Sequence, residues 1–325
     1  MRAVLSWNFL AAIIFATPAV AQPAITVVDP IQGPVEVDRT TTTQDIAFKI
    51  DRNDRMTVPV RLGGRGPYRF LVDTGADRTA VSTAIAADLG LSSGPMATLH
   101  SVTGTSQVRT ANILRLELSP DRVRDVEAPV LDAYNMGADG ILGVDSLRSQ
   151  RVMFDFRTRV ISIVPSAHRA VRDEEGTIVV RGNLKRGHLI VTSARANGVP
   201  MTVVLDTGSE ITMGNAALRK KLEARKKLGP LERIEMTSVT GQKLAGDAFH
   251  MREVKIGDVV MKDLVILFAD APIFRSLDME DTPTVLLGMN AMQAFDKISI
   301  DFARRQLRMV VPQHSSIDDA VMAAR

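Results

Sequence analysis

An internal duplication constrains this chain more than any other feature. The run Phe70-Leu71-Val72-Asp73-Thr74-Gly75-Ala76 recurs 133 residues later as Val203-Val204-Leu205-Asp206-Thr207-Gly208-Ser209. The correspondence extends well beyond these motifs. Ser101-Val102-Thr103-Gly104 returns as Ser238-Val239-Thr240-Gly241, and Ile141-Leu142-Gly143 returns as Leu286-Leu287-Gly288. Phe154-Asp155-Phe156-Arg157 returns as Ile300-Asp301-Phe302-Ala303-Arg304. Upstream of the motifs, the apolar stretches at 46–61 and 68–72 are matched by those at 178–181, 188–194 and 201–205. Self-similarity over this length means one unit built twice, with each copy burying its own apolar residues.

Between the landmarks the chain is rich in Val, Ile, Leu and Thr, with turn residues about every ten positions, the pattern of short strands. Two longer helices are expected after the motifs, over 82–89 and 215–228. Ser82 and Asn215 serve as N-caps, and Gly90 and Gly229 as stops. Shorter capped helices are expected from Asp145 and Asn290. The chain divides into a leader (1–21), an arm (22–45), a first lobe (46–165), a charged connection (166–177), a second lobe (178–313) and a tail (314–325). The expected fold class is all-β: two homologous β-barrel lobes with short helices, related by a pseudo-twofold axis.

Asp, Thr and Gly after a strand are ordinary turn residues. Two copies, each at the end of an apolar run and each with matching sequence downstream, point instead to a pair of carboxylates built to meet. Two such groups about 3 Å apart cannot both ionise, so one keeps its proton. The pair can then activate a water and protonate a leaving group with one shared proton.

Apolar-apolar-Asp-Thr-Gly-Ala, a later Gly-bearing hairpin, and Ile-Leu-Gly before a short helix together resemble the retropepsin-like aspartic protease family. The resemblance covers both lobes and implies that each is a retropepsin-like acid-protease barrel. It implies a catalytic pair, Asp73 and Asp206, held by interlocking Thr74 and Thr207, with Gly75 and Gly208 at the turns. It implies hairpin flaps around Gly104 and Gly241 that close over an extended peptide. Substrate contacts are implied for Ala76, Asp77, Ser209, Glu210, Val102 and Val239, with Ile141 and Leu286 as further pocket walls. Within the family the chain looks most like the single-chain, tandem-lobe bacterial periplasmic type (PerP-like), whose members trim the exported part of a membrane protein. Because one chain carries both halves, a monomer suffices for the site. The sequence also departs from the viral members, which follow Ile-Leu-Gly with an Arg that pairs with the Asp at position 77. Val144 and Met289 stand there instead. The fourth motif residue is Ala76 in one half and Ser209 in the other, so a Ser hydroxyl is expected to bond one dyad oxygen and make the pair electronically asymmetric.

The remaining features narrow the function classes. Arg2, the apolar run at 9–16 and Ala19-Val20-Ala21 read as a signal peptide cleaved before Gln22, hence export to the periplasm or beyond. The absence of Cys excludes thiol nucleophiles and thiolate metal sites. The five His show no metal-binding spacing, so neither metal nor cofactor is expected. A net charge of +3 does not argue for nucleic acid, and the basic run at 219–227 reads as a solvated helix face. Aromatics are only 4% of residues, so the cores should be aliphatic. The partner is a protein or peptide, a membrane protein among the candidates. Two rivals stand beside an endopeptidase. One is a catalytically inactive peptide-binding module on the same fold. The other is a serine hydrolase using Ser92 within Gly90-Leu91-Ser92-Ser93-Gly94, although that motif needs a strand before it and a helix after it. Asp155 and Asp301 recur but read as structural.

Overall fold

The computed structural model describes residues 56–101, 104–119, 122–166 and 174–312. It also describes the backbone of four short strands nearer the N-terminus: Ala21–Gln22, Ile25–Val27, Gln44–Ala47 and Lys49–Ile50. The leader through residue 20, the rest of the arm, Val102, residues 167–173 of the connection and residues 313–325 lie outside the described residues.

Each half of the duplication builds eight strands of a nine-stranded sheet, the ninth coming from the N-terminal segment, and the two sheets have the same strand order. In the first, the order is Ile25–Val27, Ser92–Ser101, Gly104–Ser119, Arg122–Leu131, Ala80–Ser82, Gly140–Leu142, Arg65–Val72, Met56–Leu62 and Lys49–Ile50. In the second it is Ala21–Gln22, Glu232–Ser238, Lys243–Ile256, Val259–Phe268, Thr212–Gly214, Thr284–Leu287, Val199–Leu205, His188–Ala196 and Asn183–Lys185. One extra pairing closes six strands of each sheet into a ring: Leu62 opposite Leu116 in the first lobe, and Ala194 opposite Ile256 in the second. Gly140–Leu142 and Thr284–Leu287 are buried at every position. Strands covered on both faces read as unbroken apolar runs, which is why these segments show no alternation in sequence.

A third sheet joins the lobes. Its six antiparallel strands run in the order Thr177–Arg181, Gln306–Val310, Lys297–Asp301, Gln150–Asp155, Val160–Pro165 and Gln44–Ala47. The lobes meet where Gln150–Asp155 pairs with Lys297–Asp301. The register places Arg151 opposite Asp301, Asp155 opposite Lys297 and Met153 opposite Ser299 at the centre. The two recurring acids therefore have structural work. Asp155 accepts from the Thr158 amide at 2.8 Å and faces the Lys297 ammonium at 3.3 Å. Asp301 accepts from the Arg304 amide at 2.9 Å and the Ser166 hydroxyl at 2.8 Å.

The helices differ from the sequence reading in two instructive ways. Ser82 and Asn215 cap Thr83–Asp88 and Ala216–Ala224, accepting from the Ile85 and Leu218 amides at 3.2 and 2.9 Å. The first helix stops at Gly90, as expected. The second ends well before Gly229, because Lys226 takes the left-handed conformation (φ 54°) and the Lys226 and Lys227 amides bond back to Glu223 and Leu222. That is the Schellman closure, and the first helix closes the same way through the Gly90 and Leu91 amides. The short helices are Val144–Leu147 and Met289–Met292, capped by Gly143 and Gly288 without a side-chain hydrogen bond. Asp145 and Asn290 thus lie inside the first turn, which frees their side chains for the site.

Candidate active site

Each Asp-Thr-Gly loop follows a strand that pairs in parallel with the Ile-Leu-Gly or Leu-Leu-Gly strand of its own lobe. Val72 lies opposite Leu142, and Leu205 opposite Leu287. The Asp73 amide donates to the Leu142 carbonyl at 3.0 Å, and the Asp206 amide to the Leu287 carbonyl at 3.0 Å. Beyond the strands the two loops grip each other. The Thr74 hydroxyl donates to the Leu205 carbonyl at 2.9 Å and accepts from the Thr207 amide at 3.1 Å. The Thr207 hydroxyl donates to the Val72 carbonyl at 2.7 Å and accepts from the Thr74 amide at 3.0 Å. Four hydrogen bonds, two in each direction, tie the lobes together behind the carboxyl groups.

The grip leaves the acids in contact. Asp73 and Asp206 are fully or almost fully buried, and their side chains lie within hydrogen-bonding reach of each other. Asp73 Oδ1 accepts from the Gly75 and Ala76 amides at 2.8 and 3.0 Å, and Asp206 Oδ1 from the Gly208 amide at 3.0 Å. Gly75 is required by proximity: a Cβ there would lie 2.3 Å from Asp206 Oδ1. Burial is the largest influence on Asp206 and raises its pKa to about 6, against the lowering effects of the Gly208 amide, the His188 charge, the Ser209 amide and the Asp73 side chain. Its proton is therefore held into the mildly acidic range, because burial disfavours the charged form by more than these neighbours favour it.

A second tier supports both loops with the same geometry. The Val144 and Asp145 amides donate to the Ala76 and Asp77 carbonyls at 2.8 and 3.1 Å. The Met289 and Asn290 amides donate to the Ser209 and Glu210 carbonyls at 2.8 and 3.0 Å. Asp145 Oδ1 accepts from the Thr79 amide and hydroxyl at 3.0 and 2.7 Å. Asn290 Oδ1 accepts from the Thr212 amide and hydroxyl, both at 2.8 Å. Thr79 and Thr212, themselves one repeat apart, accept in turn from the Gly143 and Gly288 amides at 3.2 and 3.1 Å. Local sequence reading missed these four residues as site support. The signal was present in their recurrence.

His188 was also missed. It opens the strand His188–Ala196 after a two-residue turn in which Arg186 and Gly187 both take positive φ (49° and 90°). That combination is the type I′ hairpin turn. The imidazole is 1% exposed and crosses to the first lobe, with Nδ1 3.1 Å from the Thr74 carbonyl and Nε2 2.6 Å from Asp77 Oδ1. Asp77 was expected to face substrate. In the structure it is buried, and its Oδ1 is engaged by His188. The partner of Asp77 therefore comes from the opposite lobe.

The remaining expected residues are distributed as follows. The Ser209 hydroxyl does not serve the dyad as expected. It donates to the Ile211 carbonyl at 2.7 Å, and the Ser209 backbone amide is what reaches Asp206. Ala76 is fully buried in an apolar cluster with Leu71, Ala80, Leu99, Leu131, Met136 and Ile141. Val239, from the second lobe's hairpin, is fully buried in the same cluster. Leu286 occupies the matching cluster of the second lobe with Ile190, Val204, Met213 and Met236. The hairpin tips approach each other: a Cβ on Gly104 would lie 3.2 Å from Gln242 Oε1, and one on Gly241 would lie 3.1 Å from Asn135 Nδ2 of the first lobe. Gly241 has φ 78°, which suits glycine in the tip turn. Glu210 is half-buried on the second loop, its carbonyl held by Asn290. Ser92 opens the strand Ser92–Ser101 and lies in a hairpin with no helix after it, so the nucleophile-elbow context is not met. An open cleft lined by Thr192, Ser193, Arg195, Pro200, Lys255 and Gly257 lies on the second lobe and contains none of the site residues.

Two pseudo-symmetric β lobes, each delivering one Asp-Thr-Gly loop to a shared and interlocked carboxyl pair, define a site of the aspartic-protease class. Comparison with known families agrees. Residues 58–149 match the gag-polyprotein putative aspartyl protease family, and residues 192–291 match the aspartyl protease family. The chain thus carries two retropepsin-like aspartyl protease domains in tandem. No curated protein matches the chain.

Proposed function

We propose that this chain is an aspartic endopeptidase in which Asp73 and Asp206 activate a water against the peptide bonds of extended protein segments. The observation that carries this reading is the pair of buried carboxyl groups in mutual contact, one from each lobe. The ionised member accepts a proton from a water lying between the two groups. That water attacks the carbonyl carbon while the protonated member donates to the carbonyl oxygen. The roles then reverse, and the proton passes to the departing nitrogen. The pair titrates as a unit, so acid and base are roles of the dyad and not of one residue.

The strand edges above the dyad support a peptide substrate. Ile25–Val27 adds antiparallel to the first lobe's hairpin at Leu99–Ser101, and Ala21–Gln22 adds parallel to the second lobe's hairpin at Thr237–Ser238. An extended chain crossing a pseudo-twofold axis must run antiparallel to one strand and parallel to its mate. Gln22 pairs with Ser238 and Ile25 with Ser101, the same residue in the two copies of the repeat. The edges therefore accept extended backbone in the direction a substrate would take.

The leader-like N-terminus favours an exported enzyme of the cell envelope, and the tandem-lobe arrangement favours the PerP-like role of processing a membrane or exported protein. Digestion of a peptide library, with cut sites read by mass, tests the proposal. Wild type should cut internal bonds, and Asp73→Asn and Asp206→Asn should each abolish cutting. Undiminished cutting by either variant would refute the dyad. Peptide binding without cutting by wild type would favour the inactive binding module.

A further inference from the structure

Both nitrogens of the buried His188 ring face oxygen. A carbonyl only accepts, so Nδ1, 3.1 Å from the Thr74 oxygen, must carry hydrogen. A neutral ring with its hydrogen there would turn a bare Nε2 lone pair toward Asp77 Oδ1 at 2.6 Å, setting two acceptors against each other. A proton must lie between them, and it resides on the more basic partner, which for an imidazole and a carboxylate is the imidazole. We propose that His188 is a positioning residue of the dyad and that its doubly protonated ring is the competent form, locking the Thr74 loop of the first lobe to the strand His188–Ala196 of the second. The inference rests on the dyad reading given above.

The contact is placed where it matters. The Thr74 hydroxyl supplies half of the four-bond grip, and Thr74 is bonded in sequence to Asp73. The ring therefore holds, through one carbonyl and one carboxylate, the loop that presents Asp73. The charged groups facing it are Asp77 from the first-lobe loop and Asp206 from the second-lobe loop. On its own hairpin, Lys185 and Arg186 turn away to Asp278. Burial alone would favour loss of the ring's proton. The hydrogen bond and charge of Asp77, the Thr74 carbonyl and the charge of Asp206 outweigh it, so the imidazole holds its proton above the usual His value.

The duplication adds a second line of argument. The offset of 133 residues that maps Thr74 onto Thr207 also maps Asp77 onto Glu210 and Arg55 onto His188. Arg55 lies outside the described residues, so this correspondence is one of sequence position. It places a base and an acid at each of the two related positions. Arginine never loses its charge in a protein, whereas histidine does so near neutrality. One copy of the repeat thus keeps a permanent cation, and the other has a cation that responds to pH.

The test uses the full chain with His188→Arg and His188→Gln, after circular dichroism and thermal melting establish that each variant is folded. Turnover of one library-derived peptide is followed from about pH 5 to about pH 9, alongside nitrogen NMR of labelled histidine in wild type. Wild-type kcat should fall on the alkaline side as the dyad gives up its proton; His188→Arg keeps the cation that lowers the Asp206 pKa and should leave that limb in place, whereas His188→Gln removes it and should move the limb upward. His188→Gln should lose about tenfold or more in kcat with little change in KM. The His188 ring should carry hydrogen on both nitrogens at neutral pH. A ring with one hydrogen there, or unchanged kcat and pH limb in both variants, overturns the proposal. A doubly protonated ring in a wild type that cuts no peptide would instead sink the dyad reading and leave the lock in place.

Discussion

Replacing Thr74 with valine should be among the most damaging single changes available to this chain, although it adds and removes almost no volume. The side chain is 1% exposed. Its hydroxyl serves two backbone groups of the other lobe, donating to the Leu205 carbonyl at 2.9 Å and accepting from the Thr207 amide at 3.1 Å. Valine satisfies neither. Each buried polar group deprived of its partner costs about 1–3 kcal/mol, so the change should destabilise by about 2–6 kcal/mol. That is a large fraction of the roughly 5–15 kcal/mol that holds a typical domain folded. The pseudo-symmetric Thr207→Val deprives the Val72 carbonyl and the Thr74 amide and should cost a similar amount. Thr74→Ser keeps the hydroxyl and should cost far less. Urea unfolding read by circular dichroism gives the comparison directly. Because the grip also brings the acids together, kcat should fall more than stability alone explains when measured well below the unfolding midpoint. A Thr74→Val protein within about 0.5 kcal/mol of wild type would refute the reasoning, since it would mean that the two bonds of the Thr74 hydroxyl contribute nothing net to joining the lobes.

Three further outcomes follow from the same geometry. The Asp206 pKa is raised on folding, so its contribution to stability is complete below the unfolded value of 3.8 and is lost as pH rises through about 6. Wild type should therefore lose roughly 2 kcal/mol of unfolding free energy from about pH 4 to about pH 7, and Asp206→Asn should flatten that slope; a wild type that gains stability over the range would contradict it. Gly75→Ala forces a methyl against the Asp206 carboxyl, where 2.3 Å is available, and should cut kcat by about a hundredfold; near-normal turnover would show that the carboxyl has room to withdraw. A protein lacking residues 21–27 should bind a peptide substrate with a several-fold lower KM than one retaining them, because the strand edges at Leu99–Ser101 and Thr237–Ser238 are vacated; equal KM values would mean that the segment does not compete.

The duplication made the most important features legible in the sequence. Short motifs recurring at one offset revealed the two lobes, the two Asp-Thr-Gly loops and the hairpins above them, since each is defined by residues adjacent in the chain. What stayed hidden depends on contacts between distant residues. His188 reaches partners 111 and 114 residues away, and nothing in its own neighbourhood marks it as different from any other strand-opening residue. Only the paired offsets of Asp77 with Glu210 and Arg55 with His188 could have exposed it. Asp145 and Asn290 looked like helix caps because polar residues often are; the glycines before them cap the helices instead, and the side chains turn back to Thr79 and Thr212. The end of the second long helix was misjudged because a lysine took a left-handed conformation that favours glycine. Ser209 shows the limit of reading one loop residue by itself: its hydroxyl proton goes to the Ile211 carbonyl two residues on.

The central claim is that two acids, one from each half of a duplicated chain, share a single proton. Carbon NMR of protein labelled at the aspartate carboxyls, with Asp73→Asn and Asp206→Asn used for assignment, reads this directly. The account predicts that the pair holds one proton at about pH 5 and releases it near the value of about 6 for Asp206, and that either Asn variant abolishes this step. Two carboxyls that each ionise near pH 4, indifferent to the loss of the other, would contradict it.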